Sequence, residues 1–331
     1  MPRMSSSRGI GLNTPCQIVL SPPPPPLKAP LDLPQRITIT PQEAAMSTTS
    51  NALQQARAIS AGMKIPGRKM AFEFRPDDIP RHWNDNDAFK STFMNALSCL
   101  FPEGERMFMD AVREHMHLID DEVLAEQVRG FIKQEAIHGN EHALYNACLK
   151  KWHYPIDKIN RFEKNEKRWM KKWIPASHRL AVTCALEHFT AIMANQVLTN
   201  PDATAGMHPQ FKELWRWHAI EETEHKAVAY DVYQQAVGRY WLRVLTMINV
   251  TFFFCLRTSI YQTIFLWKDG QLFNPKTWWQ GIRFYFIRPA LVRRIMRQYL
   301  DYFRRDFHPW MHDNRELVQH WLTEEQSFKT L

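Results

Sequence analysis

Two short stretches carry a carboxylate and an imidazole three residues apart: Glu135 to His138, and Glu222 to His225. Positions three or four apart share a face of a helix, so each pair points one way. One such pair means little, because helices are rich in glutamate. Here both pairs interrupt apolar seams. The first seam reads Val128, Phe131, Glu135, His138, His142, Tyr145, Leu149. The second reads Phe211, Leu214, His218, Glu222, His225, Ala229, Val232. A buried carboxylate without a partner is costly. Metal-competent side chains at core positions therefore call for an ionic partner or a cation.

Two single carboxylates lie in similar seams. Glu105 follows Phe101 and precedes Phe108, Val112 and His115 on one stripe, whereas its neighbour Glu103 shares a stripe with Arg106, Asp110 and Glu114 and reads as solvent-facing. Glu187 is the one carboxylate among Leu180, Cys184, Ala191, Ala194 and Leu198. One Glu from each of two helices, and Glu-x-x-His from each of two others, is the ligand pattern of a di-metal carboxylate bundle. Two cations close together need bridging carboxylates to offset their repulsion, and neutral imidazoles suit such metals. Glu105, Glu135, His138, Glu187, Glu222 and His225 are the candidate ligands; the competing reading is a buried ion-pair network. His218, one heptad before His225, joins the set, either as a third imidazole ligand or as a residue that orients a carboxylate. His142 and His115 lie on ligand stripes and read as supporting or core residues. Glu141, Glu221 and Glu224 fall off the stripes and read as solvated or outer-shell.

Helices must position these groups. Asn86 or Asp87 can cap a helix towards Leu100, which Phe101-Pro102 should break. A second helix follows to about His117. Asp120 or Asp121 caps a long helix to about Lys151; the short link before it favours antiparallel neighbours. Residues 152 to 176 read as a basic, Trp-rich crossover with its own amphipathic helix. Ser177 caps the next helix, to about Thr199. A Pro-containing loop over 200–209 leads into the helix with Glu222, which Pro209 can start. The reading is all-α: a four-helix bundle over 71–238, with helices packed on it over 239–331.

The ends differ in character. Residues 1–70 hold the proline run Pro22 to Pro26 amid Ser and Thr, a composition read as a disordered leader. No secretory h-region is seen, and translation starting at Met46 is one expectation. After Gly238, Val244 to Leu256 and Thr258 to Trp267 are uncharged runs flanking Arg257. An arginine in mid-span is expensive in lipid, so a helix covering the bundle is favoured over a membrane segment. Trp278, Trp279, Arg283, Arg288, Arg293, Arg294, Arg297, Arg304 and Arg305 nevertheless suit a membrane surface. The net charge is +8, from 42 Lys+Arg against 34 Asp+Glu. No nucleic-acid module is recognisable, and that partner is not expected. The five cysteines show no metal or disulfide spacing and fit a reducing compartment. The expected setting is the cytoplasm, with peripheral membrane contact as an option.

Several stretches resemble a bacterial ferritin-like family described as predicted metal-dependent hydrolases: Phe101-Pro102-Glu103-Gly104-Glu105, Glu135 to His142, Leu186-Glu187-His188-Phe189, His218 to His225, and Phe307-His308-Pro309-Trp310. The resemblance covers roughly residues 65 to 315. The spacing of His218, Glu222 and His225 is also similar to that of di-iron arylamine N-oxygenases, in which the added histidine is a ligand. The resemblance implies a ferritin-like bundle with two iron ions, manganese or zinc being the other candidates. The expected function is O2-dependent oxidation of an apolar organic substrate, with an external electron donor because no flavin or nicotinamide fingerprint is present. Metal-dependent hydrolysis is the first alternative, and a non-enzymatic metal-binding protein the second.

Overall fold

A computed structural model describes residues 41–70, 72–324 and 329–330. The helices are α1 (Pro41–Gly62), α2 (Ala88–Arg113), α3 (Glu122–Lys151), α4 (Ile156–Trp173), α5 (Ala176–Thr199), α6 (Pro201–Thr204), α7 (Pro209–His225), α8 (Val228–Ala236), α9 (Tyr240–Lys268), α10 (Pro275–Ile282), α11 (Leu291–Asp301) and α12 (Arg315–Glu324). Among the described residues the extended structure is a two-residue antiparallel pairing, Arg68 with Thr330 and Lys69 with Lys329, and an isolated bridge between Asn84 and Met207. The all-α expectation holds. Four helices form the expected bundle: α2 packs on α3 and α5, and α7 packs on the same two. One apolar layer beneath the site joins Val112, Phe131, Leu180 and Val232 from α2, α3, α5 and α8.

Local chemistry explains most boundaries. The Asp87 side chain accepts from the Lys90 amide at 3.0 Å, and Asp121 accepts from the Val123 amide at 2.8 Å, so both expected caps form. Ser177 is not a cap: α5 starts at Ala176, and Pro175, with its fixed φ, occupies the cap position. The 200–209 loop contains the single turn α6, capped by Asn200.

The expected break at Phe101-Pro102 does not occur. α2 runs through Pro102 to Arg113. A proline there cannot donate to the carbonyl of Ser98, four residues earlier. Asn146 on α3 takes over that acceptor: its Nδ2 donates to the Ser98 carbonyl at 3.0 Å. The partner that rescues the helix is 48 residues away in sequence, so local rules miss it.

A helix also occupies 41–62, inside the stretch read as a disordered leader; the Pro22–Pro26 run lies outside the described residues. The later turns of α1 are held by tertiary contacts. Ala56 and Ile59 pack with Ala227 and Trp310. Gln127 Nε2 donates to the Ser60 and Met63 carbonyls, at 2.6 and 3.0 Å, satisfying acceptors at the helix end.

Helix α9 reads through Arg257 and lies across α2 and α5. It is long and apolar enough to cross a membrane by length and composition. Its inner face, including Met247, Phe265 and Leu266, is packed into the protein. Arg257 is not stranded on it: Glu163 and Glu166 of α4 both pair with its guanidinium.

Candidate metal centre

Each bundle helix delivers its carboxylate to one buried place. Glu105 comes from α2, Glu135 and His138 from α3, Glu187 from α5, and Glu222 and His225 from α7; all six are buried. His225 Nε2 lies 3.0 Å from Glu135 Oε1, 3.6 Å from Glu187 Oε2 and 3.6 Å from Glu222 Oε2. His138 Nδ1 lies 3.6 Å from Glu222 Oε1 and 3.8 Å from Glu135 Oε1. Donor atoms of Glu105, Glu135 and His138, and of Glu135, Glu222 and His225, fall within 4.8 Å of one another, as do those of Glu105, His142 and His218 and of His138, His218 and Glu222. Glu105 has room because the facing residue of α3 is Gly139, where a Cβ would stand 3.0 Å from Glu105 Oε2.

The fit to cations can be tested on the polar atoms themselves. Buried polar groups are normally hydrogen-bonded. Here both carboxylate oxygens of Glu105, Glu135 and Glu187, with Glu222 Oε2, His138 Nδ1 and His225 Nε2, are buried without a hydrogen-bond partner. These are the atoms that face the common centre. A pair of divalent cations would satisfy them and balance four carboxylates.

Protonation follows from this crowding. Burial pushes the Glu105 and Glu187 carboxyls well above the usual range, reinforced by the charges of Glu135 and Glu222 respectively. Burial alone would lower His138, but its hydrogen bond to Glu221 and the nearby Glu222 and Glu135 carboxylates push it up to about 10. Burial likewise opposes charge on His225, yet Glu222 and Glu135 hold it well above the ordinary imidazole value. Burial raises Glu222 too, but His225, His138 and His218 pull it well below the usual range. Protons occupy a place suited to positive charge.

The imidazoles are held from behind. His138 Nε2 donates to Glu221 Oε2 at 2.9 Å, leaving Nδ1 for the centre. His225 Nδ1 donates to the side-chain Oε1 of Gln134 at 2.8 Å, leaving Nε2. Gln134 Nε2 donates in turn to Glu224 Oε2 at 2.9 Å. Arg68 closes both paths, donating to Glu221 at 3.1 Å and to both oxygens of Glu224 at 2.7 Å. Such supports fix tautomer and ring orientation. The solvated option for Glu221, Glu224 and Glu141 is thus corrected: all three are buried. Their helix neighbours point them away from the centre but still into the protein. Sequence reasoning missed Arg68 and Gln134. Gln134 immediately precedes Glu135, as Glu221 and Glu224 precede Glu222 and His225, which is a usable signal; Arg68 gave none.

His218 differs from the other six expected residues. Both of its ring nitrogens have partners: Nε2 with Glu222 Oε1 at 2.8 Å, and Nδ1 with His142 Nε2 at 2.6 Å. His142 Nδ1 continues to Ser98 Oγ at 2.9 Å. His115 bonds the Ala111 carbonyl instead and takes no part. A largely apolar cavity of about 70 Å³ reaches this side of the centre, touching His218 and Glu222 and running past Phe101, Met193 and Trp215 to Phe284, Pro289 and Leu291. A water needs about 10–15 Å³ by the same measure, so the space suits a small organic group.

A family model described as predicted metal-dependent hydrolase matches residues 66–313. The chain belongs to that family. The match coincides with the resemblance read in the sequence. Among solved structures, an R2-like ligand-binding oxidase with an aerobically reconstituted Mn/Fe cofactor is similar at 14% identity and a TM-score of 0.43, over 84% of this chain and 98% of that one. No curated protein matches.

Proposed function

We propose that this member of the family is a di-metal oxidase or oxygenase acting on a small apolar organic substrate. Glu105, Glu135, His138, Glu187, Glu222 and His225 would hold two cations, with iron as the first candidate. Bound redox-active metals would supply the O2 site, and an external electron donor would return them to the reduced state between turnovers. The observation that carries the reading is the apolar cavity ending on Glu222 and His218. Its Phe, Met and Trp walls exclude water and offer a substrate dispersion contacts rather than hydrogen bonds. His218, bonded to both Glu222 and His142, would position the Glu222 carboxylate at the cavity's inner end. Gln134, Glu221, Glu224 and Arg68 would keep the two imidazoles oriented while substrate comes and goes.

Hydrolysis is the second reading, favoured by the family description and chemically compatible with the same carboxylates. One experiment separates the two. Protein loaded anaerobically with Fe(II) and then mixed with O2 should consume O2 in proportion to its iron and show a transient visible absorption, both lost in Glu222→Ala. Inertness to O2, together with turnover of ester or amide substrates by zinc-loaded protein, would replace the oxidative reading with the hydrolytic one.

A further inference from the structure

The outer face of α9 carries Trp241, Leu245, Ile248, Phe252, Leu256 and Trp267, all exposed. The first five recur at helical spacing and make one apolar stripe from Trp241 to Leu256; Ser259 and Thr263 interrupt it before Trp267. The surface continues over Phe273, Trp279, Phe286 and Ile287, each more than half exposed. Soluble monomers rarely expose so extended an apolar surface without a use for it. The segment's own charge is nearly all of one sign, although Arg257 and Arg288 pair with acids from α4 and α6. Between residues 240 and 300 the sole acid is Asp269, and it is buried and bonded to Arg81, His82 and Tyr154. Arg283, Arg293 and Arg297 are exposed in the same segment.

We infer that this face docks on an anionic lipid surface, lying in the plane of the interface. Aromatic and aliphatic side chains at headgroup depth, joined by arginines, are what such a surface binds. Packing favours lying on the surface over spanning it: the opposite face of α9 packs against α2 and α5, and Arg257 is paired with two glutamates of α4. The far end of the apolar cavity is built from the same segment. Phe284, Pro289 and Leu291 line it, and Phe286, Ile287 and Arg288 between them are exposed. The cavity therefore opens towards the docked side, and the substrate class is an apolar molecule dissolved in the lipid. This last step rests on the oxidase reading of the cavity; docking itself does not.

Vesicle co-sedimentation at low and high salt tests the inference, using phosphatidylcholine alone and phosphatidylcholine mixed with phosphatidylglycerol. The full chain should pellet with the anionic vesicles and be released by salt. Each basic residue contributes about a fivefold preference near such a surface, so Arg293→Glu with Arg297→Glu should weaken binding by at least about tenfold. Trp279→Ser with Phe286→Ser should do likewise, with circular dichroism and metal content unchanged in both variants. No pelleting, or equal binding to neutral vesicles, overturns the inference. So does resistance to alkaline carbonate extraction, which marks a spanning segment, or a solution dimer that the same variants dissociate without vesicle binding. Docking should persist in Glu222→Ala. Loss of docking with O2 uptake intact therefore removes only this inference, and the reverse result removes only the oxidase.

Discussion

Arg68 is a single residue on which both imidazole supports converge, and its removal has calculable consequences. In Arg68→Met, Glu221 and Glu224 lose a guanidinium that lies 3.1 and 2.7 Å away, while remaining 0% and 4% exposed. Breaking a buried pair from one side costs about 3–5 kcal/mol. For a chain of 331 residues, an unfolding entropy of about 0.7 kcal/mol/K gives a fall in melting temperature of roughly 4–7 °C. Glu221 and Glu224, which hold His138 directly and His225 through Gln134, lose their anchor at the same time, and supports of this kind contribute up to about 10–100-fold to metal affinity. Arg68→Lys keeps the charge but not the two-pronged fork and should fall between the variants. Gln134→Leu breaks only the path to His225 and leaves the Arg68–Glu224 pair, so it should weaken metal binding more than it lowers stability. Thermal melts and anaerobic metal titrations read both quantities. An Arg68→Met protein that melts and binds metal like the parent would refute the reasoning.

Further outcomes follow from other contacts. Asn146→Leu strands the Ser98 carbonyl opposite Pro102 and should cost about 1–3 kcal/mol in urea unfolding, and Pro102→Ala should recover most of that in the double variant; additive losses would contradict the proposed rescue. Gly139→Ala adds a methyl 3.0 Å from Glu105 Oε2 while favouring the helix by about 1 kcal/mol, so metal affinity should fall severalfold without loss of apo-protein stability; unchanged affinity would count against Glu105 as a ligand. Burial pushes the Glu141 carboxyl from 4.5 up to about 7. The folded chain holds a proton there that the unfolded chain has released, so this group lowers stability as pH rises from 4.5 to 7. Glu141→Gln should then stabilise by about 1–3 kcal/mol at alkaline pH and by nothing in acid; equal gains at both would show a different cause.

The centre was legible because its residues violate a pattern. Glu105, Glu135, Glu187 and Glu222 each occupy a core position in an otherwise apolar seam, and helical spacing alone separates Glu105 from Glu103. What stayed hidden depends on contacts distant in sequence. Pro102 reads as a helix stop until Asn146 supplies the missing donor. Residues 41–62 read as part of a leader until Gln127 and Trp310 hold the end of α1. Arg257 reads as a charge stranded in a hydrophobic run until Glu163 and Glu166 reach it from α4. Arg68 sits in a two-residue strand with no periodicity to mark its role. Ser177 has the right chemistry for a cap but lies one residue inside the helix that Pro175 begins.

The central claim is that six side chains from four helices hold two cations. Its most direct test is metal analysis with anaerobic Fe(II) titration of the purified chain and of Glu135→Ala, since Glu135 clusters both with Glu105 and His138 and with Glu222 and His225. The expected result is two cations per wild-type chain and loss of both, or of all tight binding, in the variant with its helical circular dichroism retained. A wild-type chain that takes up no metal, or a variant that binds as the parent does, would contradict it.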